Sequence, residues 1–269
     1  MKKQKKLKVA VIQMTSTNNK KKNLADAKKL IIKAVKNKAE FILLPEVFNF
    51  RGSFVDTANQ AEPIPGESTQ FISSLAKKYK VAILIGSIME KSKGKPYNTS
   101  VLIAKNGKII SKYRKIHLFD IKLKGQEILE SSRNSPGEKP SLTKLFGIKI
   151  GLSICYDLRF PELYRNYTEK GAEILCIPSS FTKPTGEAHW HTLIKARAIE
   201  NTCYVLAPNQ AGIGSSGIKT YGHSLIVDPW GKILAEGKSS GEDIIYADLD
   251  FEYLEKIRKN LPCLKHRKL

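Results

Sequence analysis

Hydrophobic residues follow two different periods along this chain, and the periods alternate. Residues 7–14 form a short alternating apolar stretch that predicts a strand, whereas residues 19–37 place apolar side chains on one face of a helix and lysines on the other. The same patterns predict further helices at residues 68–79, 161–170 and 188–201, and further strands at residues 41–44, 81–89, 98–104, 108–113, 148–155, 173–177, 203–207, 223–227, 232–235 and 243–248. Residues 116–142 show neither period and predict a long irregular segment, which in a compact domain is usually functional.

The predicted elements indicate an α/β protein. Residues 42–44 and 174–177 are apolar on both faces, so their strands must be covered on both sides, and adjacent hairpins make the sheets mixed rather than purely parallel. A four-layer α-β-β-α sandwich fits both observations. No linker or repeat divides the chain, which predicts a single domain over residues 1–269, with a basic arm at 1–6 and a C-terminal tail at 250–269.

The net charge and the cysteine content indicate which binding partners and which cellular compartment to expect. The formal net charge of +21 could indicate nucleic-acid binding, but the lysines are spread along the chain and match no recognised module, so we expect no nucleic-acid partner. A basic surface still favours anionic small molecules. No apolar run is long enough for a membrane, no signal peptide is visible, and four scattered cysteines predict a reducing cytoplasm rather than a disulfide framework.

Cys155 is the strongest candidate for chemistry. It ends an apolar stretch and is followed by a polar turn and a Pro-Glu pair typical of a first helical turn. A thiol on such a turn is exposed to substrate and close to free backbone N–H groups, which should favour the thiolate and bind a developing oxyanion. The alternative is a buried cysteine that only fills space, which is common.

Glu46 and Lys115 are two further charged residues at predicted strand ends. Glu46 follows the apolar residues 41–44 and a proline, and Lys115 lies where a hairpin strand enters the irregular segment. Taken singly, each could be an ordinary surface charge. With a thiol they could supply a proton shuttle and a cation for the tetrahedral oxygen, the latter together with the backbone N–H of Tyr156.

The chain resembles the nitrilase superfamily of carbon–nitrogen hydrolases, in its Nit branch. The resemblance is carried by Leu-Pro-Glu at residues 44–46, Tyr-Arg-Lys-Ile-His-Leu at 113–118, Cys-Tyr-Asp-Leu-Arg-Phe-Pro-Glu at 155–162, and matching segments at 185–190, 195–201 and 221–231. It implies a four-layer sandwich that forms homodimers, no metal or organic cofactor, and a Glu46–Lys115–Cys155 triad. Glu130 matches a second family glutamate that orients the lysine and the substrate; the alternative is a loop carboxylate paired with one of the many lysines.

The resemblance also implies a small anionic amide as substrate. Phe181 and Thr185 occupy positions that line the pocket in relatives, and Arg159 could clamp a carboxylate, unless it pairs with a neighbouring acid. The branch divides between amidases of deaminated glutathione, which release 2-oxoglutarate and cysteinylglycine, and ω-amidases of 2-oxoglutaramate; we favour the former.

Two alternatives remain open. One is a Cys–His pair with one of His117, His189, His191 or His223; another is a non-enzymatic binding protein with the same fold. Zinc is disfavoured, because the chain has no Cys-x-x-Cys pair, and His189 and His191 point to different faces of the predicted helix.

Overall fold

A computed structural model describes residues 4–123, 126–215 and 217–268 of the chain. Its strands are β1 (Lys6–Gln13), β2 (Phe41–Leu43), β3 (Ala82–Glu90), β4 (Tyr97–Ile103), β5 (Ile109–Arg114), β6 (Asp120–Leu123), β7 (Gln126–Leu129), β8 (Ser141–Leu145), β9 (Ile148–Leu152), β10 (Ile174–Cys176), β11 (Tyr204–Ala207), β12 (Ala211–Ile213), β13 (Lys219–Tyr221), β14 (Leu225–Val227), β15 (Ile233–Glu236) and β16 (Asp243–Asp250). Its helices are α1 (Lys20–Lys36), α2 (Phe54–Asn59), α3 (Glu67–Tyr79), α4 (Pro161–Glu169), α5 (Lys183–Thr185), α6 (His191–Asn201), α7 (Phe251–Asn260) and α8 (Cys263–His266).

Two six-stranded mixed sheets form the centre of the fold. One has the strand order β16-β1-β2-β3-β4-β5 and the other the order β15-β14-β11-β10-β9-β8. In each sheet the short central strands pair in parallel, whereas the outer pairs are antiparallel. The mixed pairing confirms the expectation drawn from the predicted hairpins.

The alternation of side chains within β1 explains the layering. Val9 and Val11 pack in the core shared with the second sheet, α4 and α6, whereas Ala10 and Ile12 pack with the apolar faces of α1 and α3. Each sheet is therefore apolar on both faces and has helices outside it. This arrangement confirms the predicted α-β-β-α sandwich.

Several predicted elements need correction. The strand expected at residues 148–155 ends at Leu152, and the helix expected at 188–201 begins as a π-helical turn, Gly186–Trp190, before α6. The segment 116–142, expected to be irregular, contains the β6–β7 hairpin and the first residues of β8. Its polar sequence shows no period because the hairpin packs little apolar surface.

Both predicted terminal segments contain regular structure. Lys6 of the basic arm begins β1, while residues 1–3 lie outside the described part of the chain. The C-terminal tail contains α7 and α8, and the Asp250 side chain accepts the N–H groups of Glu252 and Tyr253 at the start of α7. No helix within the described ranges is long and apolar enough to cross a membrane.

Candidate active site

Glu46 emerges beyond the end of β2, and its placement depends on a glycine in the neighbouring strand. A Cβ at Gly86 would lie 2.1 Å from the carbonyl oxygen of Leu44 and 2.2 Å from that of Pro45, so only glycine permits this close approach. The next residue, Val47, has a φ of 48°, which β-branched residues disfavour. Glu46 itself is buried, with 5% of its surface exposed.

Lys115 follows directly after β5 and is almost completely buried. Its backbone N–H donates to the Asn98 carbonyl at 2.8 Å, and its carbonyl accepts the Gly137 N–H at 2.7 Å. Its Nζ lies 2.7 Å from Oε2 of Glu130 and 3.3 Å from Oε1 of Glu46. One ammonium group therefore lies between two buried carboxylates.

Glu130 starts a short 3₁₀ turn directly after the β6–β7 hairpin. Besides Lys115, its Oε2 accepts the Phe119 backbone N–H at 2.7 Å, and its Oε1 accepts Nδ2 of Asn134 at 3.3 Å. These donors fix the carboxylate against the lysine. The loop carboxylate that the sequence left with two interpretations thus lies beside Lys115.

Cys155 begins the 3₁₀ turn Cys155–Arg159 and has a left-handed backbone with a φ of 48°. This conformation costs a non-glycine residue roughly 1–2 kcal/mol, and such strain occurs mainly at functional sites. The Cys155 N–H donates to the Pro178 carbonyl at 2.9 Å, which holds the turn in place. Because α4 begins only at Pro161, the free N–H groups near the thiol belong to the 3₁₀ turn and not to an α-helix.

The electrostatics of the cleft favour a neutral thiol beside a charged lysine. Burial raises the pKa of the Cys155 thiol well above its usual value, the Glu46 carboxylate raises it further, and the Lys115 ammonium opposes the shift without cancelling it. The resting cysteine is therefore a thiol, and a base must accept its proton, which is the role expected of Glu46. Burial by itself would lower the pKa of Lys115, but the Glu130 and Glu46 carboxylates hold that pKa well above its usual value.

Two residues that the sequence analysis missed hold the Glu46 carboxylate. Its Oε1 accepts Nδ2 of Asn98 at 2.9 Å, and its Oε2 accepts the backbone N–H of Ser180 at 2.7 Å. Asn98 belongs to the first sheet, whereas Ser180 follows β10 of the second. Only the packing of the two sheets brings them together, although the position of Ser180 just beyond a predicted strand was a usable signal.

The cleft around these groups has a volume of about 910 Å³, including its open mouth. Of the predicted substrate-binding residues, Tyr156, Phe181 and Thr185 line it. Arg159 does not line the cleft: its Nη2 lies 3.3 Å from Nδ1 of His189, and its guanidinium carbon lies 5.6 Å from the ring centroids of Tyr156 and Phe181. The predicted carboxylate clamp therefore lies against two aromatic rings of the wall.

His117 is engaged by a buried acid and is not among the residues that line the cleft. Its Nδ1 and its backbone N–H lie 2.7 and 3.0 Å from Oδ1 of Asp157, whose Oδ2 accepts the Tyr113 hydroxyl and the Ile154 N–H. Asp157 thus connects the 3₁₀ turn that begins at Cys155 to the residues on either side of Lys115 through hydrogen bonds. This pairing leaves a Cys155–His117 dyad without structural support.

A separate group of side chains could hold a metal ion. The ring nitrogens of His191 and His223 lie 3.0 and 2.7 Å from Oε1 of Glu236, and the three ligand atoms lie within 4.8 Å of one another. Sequence spacing did not reveal this group, because the residues come from α6, a turn before β14, and β15. None of the three is among the residues lining the cleft.

The fold is that of a nitrilase-type sandwich protein. A family model described as carbon-nitrogen hydrolase matches residues 8–259, and the chain belongs to that family. A deaminated glutathione amidase from Synechocystis is 42% identical over 266 residues, covering 96% of this chain and 97% of the relative.

Two further proteins support this assignment. The mouse protein named omega-amidase NIT2 is 39% identical over 261 residues, covering 97% of this chain and 94% of that protein. The crystal structure of Saccharomyces cerevisiae Nit3, described as a member of branch 10 of the nitrilase superfamily, superposes with a TM-score of 0.90 at 40% identity, covering 98% of this chain and 97% of that chain.

Proposed function

We propose that this protein hydrolyses the C–N bond of a small carboxylate-bearing amide through a thioester on Cys155. The observation that supports the proposal is the convergence of a buried thiol, the carboxylate of Glu46 and the ammonium of Lys115 in one cleft. No step of this mechanism needs a metal ion or an organic cofactor.

In the first half of the reaction, Glu46 accepts the thiol proton while the sulfur of Cys155 attacks the amide carbon. The negative charge that develops on the carbonyl oxygen is stabilised by Lys115, together with the Tyr156 backbone N–H. The protonated Glu46 then transfers its proton to the departing nitrogen, and the C–N bond breaks to leave an acyl thioester and a free amine.

In the second half, a water molecule attacks the thioester and Glu46 accepts one of its protons. Lys115 again stabilises the tetrahedral oxygen, and the C–S bond breaks to release a carboxylic acid. Glu46 returns the proton to the departing sulfur, which regenerates the thiol and the Glu46 carboxylate. Glu130 acts as a positioning residue that keeps Lys115 charged and directed at the reacting oxygen.

The substrate that we propose is deaminated glutathione, cleaved to 2-oxoglutarate and cysteinylglycine. The match to a relative of that name at 42% identity supports this substrate. The second candidate is ω-amidase activity on 2-oxoglutaramate, favoured by relatives of that name at 39% identity. Tyr156, Phe181 and Thr185 would contact the substrate, and Arg159, which lies against the rings of Tyr156 and Phe181, would bind its carboxylate.

Product analysis by mass spectrometry tests the proposal. Wild-type protein and a Cys155→Ala variant are incubated separately with deaminated glutathione and with 2-oxoglutaramate. We expect wild type to release 2-oxoglutarate faster from deaminated glutathione, and the variant to release none. If wild type turned over neither amide, the proposed substrates would be wrong, and a binding protein with this fold would become the better hypothesis.

We further propose that the whole chain acts as one domain in a cytoplasmic homodimer. Family membership supports the dimer, and the free state of all four cysteines suits a reducing compartment. Light scattering after size-exclusion chromatography tests the dimer directly, since a monomer would elute with a mass near 30.1 kDa.

A further inference from the structure

Three side chains outside the cleft converge at the edge of the second sheet. His191 begins α6, His223 lies in the turn before β14, and Glu236 ends the edge strand β15. Nε2 of His191 and Nδ1 of His223 lie 3.0 and 2.7 Å from the same carboxylate oxygen, Oε1 of Glu236. Two imidazoles and one carboxylate therefore direct their ligand atoms into one small volume.

Both imidazoles are held in place by their surroundings. The His223 carbonyl accepts Nε1 of the buried Trp190 at 2.7 Å, and the His223 N–H donates to the Lys238 carbonyl at 2.9 Å. The ring of Tyr221 packs against both imidazoles, with centroid distances of 4.4 Å to His223 and 5.9 Å to His191. These contacts orient the two rings before any ligand binds, as a metal site requires.

The carboxylate is accessible and has no basic side chain as a partner. Within the described ranges, no lysine or arginine forms an ion pair with Glu236, although the chain has 46 of these residues. The side chains of His191, His223 and Glu236 are 32%, 25% and 37% exposed. A cation from solution can therefore reach the three ligand atoms, and water can complete its coordination.

The donor set indicates which metal fits. Two imidazole nitrogens and a carboxylate oxygen suit Zn²⁺, whereas Ca²⁺ and Mg²⁺ prefer oxygen ligands. Ligand atoms around a tetrahedral zinc lie about 3.3 Å apart, because each is about 2.0–2.1 Å from the metal. The two distances to Oε1 of Glu236 are slightly shorter, and all three atoms lie within 4.8 Å of one another. Small side-chain rotations are therefore enough to place zinc among them.

We propose that His191, His223 and Glu236 bind a zinc ion that links the start of α6 to the edge of the second sheet. The two ring nitrogens and the carboxylate oxygen then donate lone pairs to the metal, and each imidazole keeps its proton on the other ring nitrogen. The sequence disfavoured zinc on His189 and His191, but the fold supplies His223 in place of His189. Because none of the three ligands lines the cleft, the zinc stabilises the fold and takes no part in amide hydrolysis.

Isothermal titration of ZnCl₂ into protein stripped of metal with EDTA tests the site. We expect wild type to bind one zinc per chain at this site. His191→Gln and His223→Asn each keep an N–H donor for Glu236, so the fold should tolerate them. Each should weaken zinc binding at least about 100-fold, because losing a residue that only supports a ligand already costs about 10- to 100-fold. If wild type bound no zinc, or if both variants kept its affinity, the inference would be overturned.

His189→Gln is the matched control. His189 lies only two residues before His191, but its Nδ1 is 3.3 Å from Nη2 of Arg159 and it does not contact Glu236. This variant should bind zinc as wild type does. A loss of affinity equal to that of His191→Gln would mean that the substitutions act through the helix start rather than through ligation, and would contradict the proposal.

Two further measurements separate a metal site from a hydrogen-bonded cluster and from thiol binding. Zinc at about 100 times its Kd should raise the Tm of wild type by about 5 °C and leave both ligand variants unchanged. Co²⁺ should give the visible absorption of a four-coordinate site without the charge-transfer band of a thiolate ligand. No rise in Tm, or a thiolate band, would refute the proposal. Amide hydrolysis should persist in EDTA, so a failure of the proposed function would leave the zinc measurements unaffected.

Discussion

Two ion clusters lie on either side of the end of β5, and they differ in charge ratio and exposure. In the outer cluster, the buried Glu90 carboxylate accepts from Lys112 at 3.1 Å and from Nε of Arg114 at 2.8 Å, with both cations partly exposed. Thr99 adds a further donor at 2.9 Å. Here two cations neutralise one acid. The carboxylate oxygens already accept hydrogen bonds from all three side chains, so the group is not available as a base.

The inner cluster, formed by Glu46, Lys115 and Glu130, has the opposite ratio. Two carboxylates share one ammonium that is 2% exposed, and the thiol of Cys155 lies next to them in an open cleft. The excess carboxylate can accept a proton, and the buried ammonium can meet a new negative charge. The two clusters differ in the ratio and burial of their charges rather than in their number, and this difference separates the proposed reactive site from a structural ion pair.

The largest expected effect comes from removing the nucleophile of the inner region. Cys155→Ala should lower kcat by at least about 10⁴-fold, because no other described thiol lines the cleft. Cys176→Ala is the matched control: Cys176 is fully buried in β10, its pKa is raised by burial alone, and it has no role in the mechanism. Near-wild-type steady-state kinetics are expected for this control, and comparable loss in both variants would contradict the assignment.

Removing the inner cation should affect both activity and stability. Lys115→Met is expected to lower kcat about 10²- to 10³-fold through loss of oxyanion stabilisation. It also leaves Glu46 and Glu130 without their counter-charge, so the free energy of unfolding should fall by about 3–5 kcal/mol in urea denaturation. Adding Glu130→Gln should recover part of the stability and none of the activity. Recovery of activity would show that Lys115 is only structural.

Glu130→Gln should have a smaller effect that reports on the charge of the lysine. The glutamine can still accept the Phe119 N–H, but it no longer raises the pKa of Lys115. We expect kcat to fall roughly 10- to 100-fold with little change in KM. The alkaline limb of the kcat–pH profile should move to lower pH, because Lys115 then loses its proton more easily. An unshifted limb would argue against the positioning role.

The smallest effect on activity is expected in the outer cluster. Burial by itself would raise the pKa of Glu90, but Arg114, Thr99 and Lys112 hold it at about 2. A lowered carboxylate pKa stabilises the fold above the unfolded-state value near 4.5, and this contribution is lost as the pH falls toward 2. Glu90→Gln should keep kcat within about twofold, be less stable at pH 7 and lose less stability on acidification. Thermal melts from pH 7 to pH 2 measure this difference.

The sequence predicted the inner cluster well because its members occupy strand ends within recognisable motifs. Glu46 and Lys115 each follow an apolar stretch directly, and Cys155 lies in the most specific motif of the chain. Sheet packing then brings these ends to one cleft. The layer order was also predictable, because apolar residues on both faces of a strand require cover on both sides.

The supporting residues could not be predicted, because their roles depend on contacts between distant segments. Asn98 resembles any polar residue of a hairpin until the strand order of the first sheet places it against Glu46. The orientation of Arg159 could not be predicted for the same reason: distance along the chain from Cys155 does not show which way its side chain extends.

We propose above all that Glu46 and Lys115 activate the Cys155 thiol. The most direct test is to label the protein with iodoacetamide at neutral pH and to compare the labelling rates of two cysteines by mass spectrometry. Cys263 is more exposed than Cys155, so accessibility alone predicts that Cys263 reacts first. We predict that Cys155 reacts faster than Cys263 in wild type, because Glu46 can accept the thiol proton as the sulfur attacks. We also predict that Lys115→Met slows labelling of Cys155 while leaving Cys263 unchanged, because the ammonium lowers the pKa of the Cys155 thiol. If Cys155 reacted no faster than Cys263, or were unaffected by Lys115→Met, the account of an activated nucleophile would be contradicted.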